Sequence, residues 1–191
     1  METFARMATI KDIPELMELQ KLFHVDTISP EDKKDGFVTT KLTEEQWKEL
    51  IEKENGVTIL TDDEKVLGYA LAASWEYWSS WPLFEYMIER LHEDNYKGEI
   101  MSVENSYQYG PICIVKELRG TDALNKLFFT SLKEMNKRYK YLLTFVNQIN
   151  PRSYAAHTRK LGLDVIKEFG FNNNKYWELG TTTDRWSEID G

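Results

Sequence analysis

Apolar residues in this chain alternate between a period near two and a period near 3.6, and the switches divide it into strands and helices. Phe4 to Ile10 reads as a first strand. Asp12 to Glu15 reads as a helix start, with Asp12 as cap, Pro14 in the first turn and Glu15 in the capping-box place, followed by Ile13, Leu16, Met17 and Leu22 at helical spacing. A loop through Ser29, Pro30 and Gly36 leads to Thr43, Glu44, Glu45 and Gln46, a second capping box, whose helix buries Trp47, Leu50 and Ile51. Gly56 to Leu60 and Val66 to Ala72 are apolar runs joined by the polar turn Thr61 to Lys65, hence an antiparallel hairpin. Ser80, Trp81 and Pro82 open a helix with Phe84, Met87, Ile88 and Leu91 on one face, reaching about His92 and closed by Asp94 to Gly98.

The C-terminal half repeats the alternation in a different order. Pro111 to Val115 is a strand, Asp122 to Tyr139 a helix with Leu124, Leu127, Phe128 and Leu132 inward, and Tyr141 to Val146 a strand. A helix from Asn150 and Pro151 ends near Gly162, where a glycine C-cap is expected. Val165 to Phe169 and Lys175 to Leu179 close the sheet as a hairpin around Gly170 to Asn174. The fold class is therefore α/β (mixed α+β): a central mixed sheet of about six to seven strands flanked by about four helices, with one extra helix between the third and fourth strands.

Composition narrows the class. A chain of 191 residues, 41% hydrophobic and 13% aromatic, fits one domain spanning residues 1–191. There is no run of about eighteen apolar residues, and the N-terminus lacks the basic start and apolar stretch of a secretion signal, so a cytoplasmic protein with no membrane partner is expected. The one cysteine, Cys113, excludes a disulfide scaffold and a zinc cluster, and no metal site is expected. The net charge of −8 argues against a nucleic-acid partner, whose backbone wants clustered Lys and Arg. Lys116, Arg119, Lys126, Lys133, Lys137 and Arg138 are nonetheless gathered around one helix, and local charge decides anion binding.

Two segments carry the chemistry. From Tyr109 to Leu127 a strand passes through a short basic turn straight into a helix, whose first backbone N–H groups have no partner and sit at the positive dipole end. After the next strand comes Asn150 to Leu163, Asn-Pro-Arg-Ser-Tyr-Ala-Ala-His-Thr-Arg-Lys-Leu-Gly-Leu. Together these resemble the motifs of the GNAT superfamily of N-acetyltransferases, best from Tyr109 to about Tyr176 and more loosely before Ser74. Ser74 to Tyr107 has no counterpart.

The resemblance implies acetyl-CoA as co-substrate, its pantetheine arm against main chain at Ile112, Cys113 and Ile114 in a gap between two splayed strands. It implies the diphosphate at Arg119, Gly120, Thr121, Asp122, Ala123 and Leu124, and the cofactor's arm held by Asn150. Two residues depart from the family's turn: Asp122 stands where a glycine is usual and Leu124 where a small residue is usual. Asp122 is alternatively a helix cap whose carboxylate occupies the N–H groups an anion would use. Amine attack on the thioester wants a base and an acid. The family's acid position falls on His157 counted from Asn150 and on Thr158 counted back from Leu161, because this helix holds one residue more than the common pattern. Tyr154 is a nearby substitute and Glu104 a candidate base, with Glu99 and Glu117 as alternatives.

The unmatched segment, residues 75–98, carries Trp75, Trp78 and Trp81, half of the six tryptophans, with Tyr77, Phe84 and Tyr86. It fits a pocket lid, a homodimer contact or a satellite hydrophobic cluster, and Glu76 and Glu85 could add charge complementarity to an amine. Two functions follow: an N-acetyltransferase acting on a primary amine of a small molecule or protein by direct transfer, or a non-catalytic protein of the same fold working as an interaction module.

Overall fold

A computed structural model describes residues 2–24 and 41–190, so the loop expected through Ser29, Pro30 and Gly36 lies outside the described residues. The strands are β1 (Phe4–Met7), β2 (Val57–Thr61), β3 (Val66–Ala73), β4 (Asn95–Tyr96), β5 (Glu99–Ile100), β6 (Ser106–Ile114), β7 (Tyr141–Asn147), β8 (Asp164–Phe171) and β9 (Asn174–Thr182). Seven of them form one sheet in the order β1-β2-β3-β6-β7-β9-β8, while β4 and β5 pair as a separate short hairpin. Only the central β6–β7 pair is parallel among these, so the sheet is mixed as expected.

The helices are α1 (Ile13–Phe23), α2 (Glu44–Glu52), α3 (Trp75–Trp78), α4 (Pro82–Glu89), α5 (Ala123–Met135) and α6 (Pro151–Ala155). Strand side chains alternate between the two faces, and each face buries its own core. On one, Leu16, Trp47, Leu50, Trp75, Trp78, Phe84 and Met87 from α1 to α4 pack against Ile59, Tyr69 and Leu143. On the other, Leu127, Phe128 and Leu132 of α5 pack against Leu60, Tyr107, Tyr109 and Leu142.

Local chemistry explains most boundaries. Thr43 caps α2 as the capping box requires, its hydroxyl accepting from Gln46 N–H at 3.2 Å while Gln46 Oε1 accepts from Thr43 N–H at 2.8 Å. At α1 the expectation is corrected: Asp12 makes no side-chain cap bond to that helix. Its carboxylate instead accepts from Thr9 N–H at 2.8 Å and pairs with Arg6 at 2.9 Å, closing a 3-10 turn over Ile10–Asp12 that ends the strand at Met7. Glu15 likewise leaves the capping-box role and accepts from Val66 N–H at 2.8 Å. The β8–β9 turn places Asn172 and Asn173 at φ of 50° and 62°, the left-handed pair a two-residue hairpin wants.

The insertion is anchored rather than loose. Trp75 and Trp78 are fully buried, and Trp75 Nε1–H donates to Ser106 Oγ at 3.0 Å. The satellite-cluster reading therefore describes its first turn. At its far end Asp94, buried, takes an ion pair from Lys167 of β8 at 2.7 Å, beside the buried Glu178 of β9. Burial, with the hydrogen bond and charge of Asp94, raises the Glu178 carboxyl well above the usual range despite the opposing Lys167.

Candidate active site

The chain opens its own sheet at β6. Gly110 sits at φ +105°, a conformation glycine accepts, and Pro111 has no N–H to continue a ladder. The β3–β6 register slips there, between Ala70↔Ile112 and Ala72↔Tyr109, and β6–β7 pairing ends at Gln108↔Leu143. Beyond that point the two strands diverge. The Tyr109 carbonyl at the fork is taken by two side chains instead, Thr144 Oγ1–H and Gln108 Nε2–H, each donating at 2.7 Å.

The gap is a cleft of about 890 Å³, lined by Gln108 to Ile114, Thr144 to Asn147, the start of α6, Arg119 and Leu124, and on its other side by Trp81 to Phe84 and Tyr176. Val115 N–H donates to Leu67 C=O at 3.0 Å, so strand alternation turns the main-chain groups of Cys113 toward β3 and those of Ile112 and Ile114 into the gap. The Cys113 thiol is buried, and burial pushes it up to about 12, which leaves it inert.

At the cleft's far end lies the strand-to-helix turn. Gly120 has φ +80°, where an L side chain is disfavoured. Thr121 Oγ1 accepts from Ala123 N–H at 3.2 Å. Asp122 precedes α5 but makes no side-chain cap bond; its carboxylate is largely exposed and lies 3.6 Å from Lys126. The capping alternative for Asp122 is thus corrected: its carboxylate covers none of the first-turn amides, of which Ala123 N–H is taken by Thr121. Lys160 donates to the Thr121 carbonyl, which adds a cation to the turn beside Arg119 and Lys126. Leu124 projects into the cleft wall, half-buried.

Asn150 caps α6, its Oδ1 accepting from Ser153 N–H at 3.1 Å, with Pro151 at the first helical position, and Asn150 also lines the cleft. The helix then widens into a π turn over Ala156–Lys160, with Leu161 N–H donating back to Ala156 C=O at 3.0 Å. A π turn is one residue inserted into an α-helix, which is the extra residue counted between Asn150 and Gly162. Its consequence is a choice between the two neighbours. His157 lines the cleft, whereas Thr158 Oγ1–H donates to the Tyr154 carbonyl at 2.8 Å and stays off it.

His157 Nδ1 lies 2.7 Å from the Ser153 carbonyl, a bond that only a protonated nitrogen makes, so in the neutral ring Nε2 carries the lone pair. Burial lowers the His157 pKa below its usual 6.5, with the Ser153 carbonyl opposing, so the imidazole is neutral at pH 7. The ring is thus a proton acceptor first and a donor only after it has accepted.

Four further acid or base candidates do not reach this cleft. Tyr154, partly buried, packs on Trp177 with ring centroids 5.8 Å apart, against the core of the α5 face. Glu104 is exposed before β6, at the strand end opposite the fork. Of its alternatives, Glu99 accepts from Lys140 Nζ at 2.8 Å and from Tyr141 Oη–H at 3.0 Å, and Glu117 is exposed. Glu85 of the insertion is exposed as well, and Glu76 lines a separate groove with Glu49 and Glu54. Trp81, one of the aromatics of the pocket-lid reading, lines the cleft, whereas Gln108, Thr144 and Tyr176 were missed; a proline inside an apolar strand was the available signal for the fork.

No protein-family model matches the chain, and no curated protein matches it. Solved structures do resemble it. A GNAT-family acetyltransferase from Streptococcus pneumoniae is 14% identical, with a TM-score of 0.60 over 95% of this chain and 99% of that one. A putative acetyltransferase from Salmonella typhimurium, solved with its cofactor acetyl-CoA, is 14% identical at a TM-score of 0.61, covering 95% and 94%. A ribosomal-protein-alanine N-acetyltransferase from Brucella melitensis is 16% identical at 0.61, covering 93% and 98%. The chain, with its seven-stranded mixed sheet, therefore has the fold of these GNAT N-acetyltransferase structures.

Proposed function

We propose that this protein is an acetyl-CoA-dependent N-acetyltransferase that moves the acetyl group directly to a primary amine. One observation carries the reading: the strands part at Gly110 and Pro111 into a cleft that reaches Arg119 and Leu124 at the start of α5, where the Asp122 side chain caps no amide. Ile112 and Ile114 offer main-chain groups to the amides of a pantetheine arm. Arg119 in the cleft lining and the α5 amides beyond Ala123 suit the diphosphate, with Lys126 and Lys160 nearby on the Thr3 and Thr121 carbonyls adding positive charge to the turn. In the transfer, the amine nitrogen bonds to the acetyl carbon as the carbon–sulfur bond breaks. His157 Nε2 takes the proton the amine sheds and returns it to the departing thiolate, so a single residue serves as base and then acid.

Heating the protein with increasing acetyl-CoA tests this directly. Ligand at a hundredfold over its Kd should stabilise by about 2.7 kcal/mol, and the midpoint should keep rising with concentration. An unchanged midpoint at millimolar ligand would sink the transferase reading in favour of an interaction module, the reading that Asp122 and Leu124 favour. If binding is seen, Asp122→Gly should tighten it by about two- to fivefold, because an exposed carboxylate near a diphosphate repels weakly through water, while Lys126 stays on the Thr3 carbonyl at 2.7 Å in either protein. Calorimetry of both proteins with CoA checks the sign.

A further inference from the structure

The half of the cleft on the insertion side differs from the half at the α5 turn. Its walls are Trp81, Phe84, Phe145, Phe171 and Tyr176, with Pro82 and Leu83 closing over them. The rings lock one another: Phe84 meets Phe145 at 5.7 Å, and Phe145 meets Tyr176 at 5.6 Å, both edge to face. Trp81 rests on Trp78 at 5.3 Å, itself fully buried, so the wall is built on the core and preorganised.

Charge is the second observation. The chain has 32 acidic residues, yet none of the described residues that line the cleft is Asp or Glu. Its charged side chains are Arg119 and Arg152. A polycation entering here would shed water with no carboxylate among the described lining residues to meet it, an unfavourable exchange. The polar group on the aromatic side is the Gln108 amide, buried at the fork. Its Nε2 is spent on the Tyr109 carbonyl, which leaves Oε1 as a hydrogen-bond acceptor without a partner among the described residues. A neutral amine has an N–H to give it; this is also the protonation state that attacks a thioester.

We infer that the acceptor is a small primary amine carried on an aromatic body, its ring stacked in the Trp81, Phe145 and Tyr176 wall and its nitrogen directed to Gln108, and that polyamines and protein tails are poor acceptors. This rests on the transferase reading for turnover, but the binding half stands apart from it.

The test uses 2-phenylethylamine, spermine and a tetrapeptide with a free N-terminal alanine, each as acceptor with saturating acetyl-CoA, and calorimetry of each amine with the protein alone and with CoA. 2-Phenylethylamine should show a kcat/KM at least tenfold above the others. Trp81→Ala, which also removes ring packing on Tyr77 and Trp78 and should lower the melting midpoint by a few degrees without unfolding the chain, should weaken phenylethylamine binding about tenfold while CoA affinity stays within twofold. As a second variant, Phe171→Asp at the hairpin should shift preference toward spermine. Spermine or peptide turned over as well as phenylethylamine, or phenylethylamine binding indifferent to Trp81→Ala, would overturn the inference. CoA binding without any amine binding would also overturn it while leaving the transferase reading intact. Phenylethylamine binding without CoA binding would do the reverse.

Discussion

Replacing His157 by alanine is expected to lower kcat by about a hundredfold to ten-thousandfold, the range a positioned proton-transfer group supplies. CoA affinity should stay within about twofold, since His157 makes none of the bonds that hold the α5 turn. A positioning role alone would change KM and kcat together and leave the pH profile in place. A relay role ties the profile to the ring. Because burial lowers the pKa of His157, the wild-type enzyme should hold its relay-competent neutral form at pH 7 and lose kcat only as acid protonates Nε2, below pH 6.5. In His157→Ala that acid limb should vanish. The sign for stability follows from the same shift: the unfolded chain binds the proton more readily, so the contribution of His157 is present above its unfolded pKa and is lost as pH falls below it. Initial rates from pH 5 to 8 in both proteins decide the matter, and a limb that survives the substitution would remove His157 from the proton path.

How much of this was legible beforehand divides along physical lines. Elements with local causes were readable: the Thr43–Gln46 box, the Gly162 cap at φ +71°, the Asn172–Asn173 turn and the order of strands and helices. Their signals lie within a few residues of one another. Features set by tertiary partners were not. Asp12 had the composition of a helix cap but turned to Arg6 and Thr9, because the strand end packs its guanidinium there. The β4–β5 hairpin has two-residue strands, too short for any alternation to show. In α6 the count from either end pointed to two different residues, and only the π turn settles which of His157 and Thr158 meets the cleft. Gln108 was unreadable for a related reason. A glutamine in a strand is unremarkable until a neighbouring glycine and proline open the sheet beside it.

Lys167→Met should destabilise the fold by about 3 kcal/mol, a drop of roughly 6 to 12 °C in a chain of this size. Lys167 is the cation that the buried Asp94 pairs with at 2.7 Å; the Asp94 side chain is 2% exposed and that of Lys167 28%. Methionine keeps the apolar stem and deletes only the charge, so the loss measures what an uncompensated buried carboxylate costs; partial exposure of Lys167 places the figure at the low end of the buried-pair range. Glu178 cannot take over as a counter-charge, being itself an acid held protonated by burial. If this description of the cluster is correct, Lys167→Met combined with Asp94→Asn should recover most of the lost stability, because the double variant has no buried charge left to compensate. Additive losses in thermal denaturation of the two single variants and the double would show that Asp94 and Lys167 do not act as a pair. The consequence reaches the cleft. Asp94 ends the insertion that begins at Trp75, and Lys167 belongs to the edge strand whose tip carries Phe171, so the ion pair joins the two elements that wall the aromatic side. Lys167→Met should therefore also weaken amine binding more than CoA binding, since Arg119 and the α5 turn are built on β6 and owe nothing to this contact.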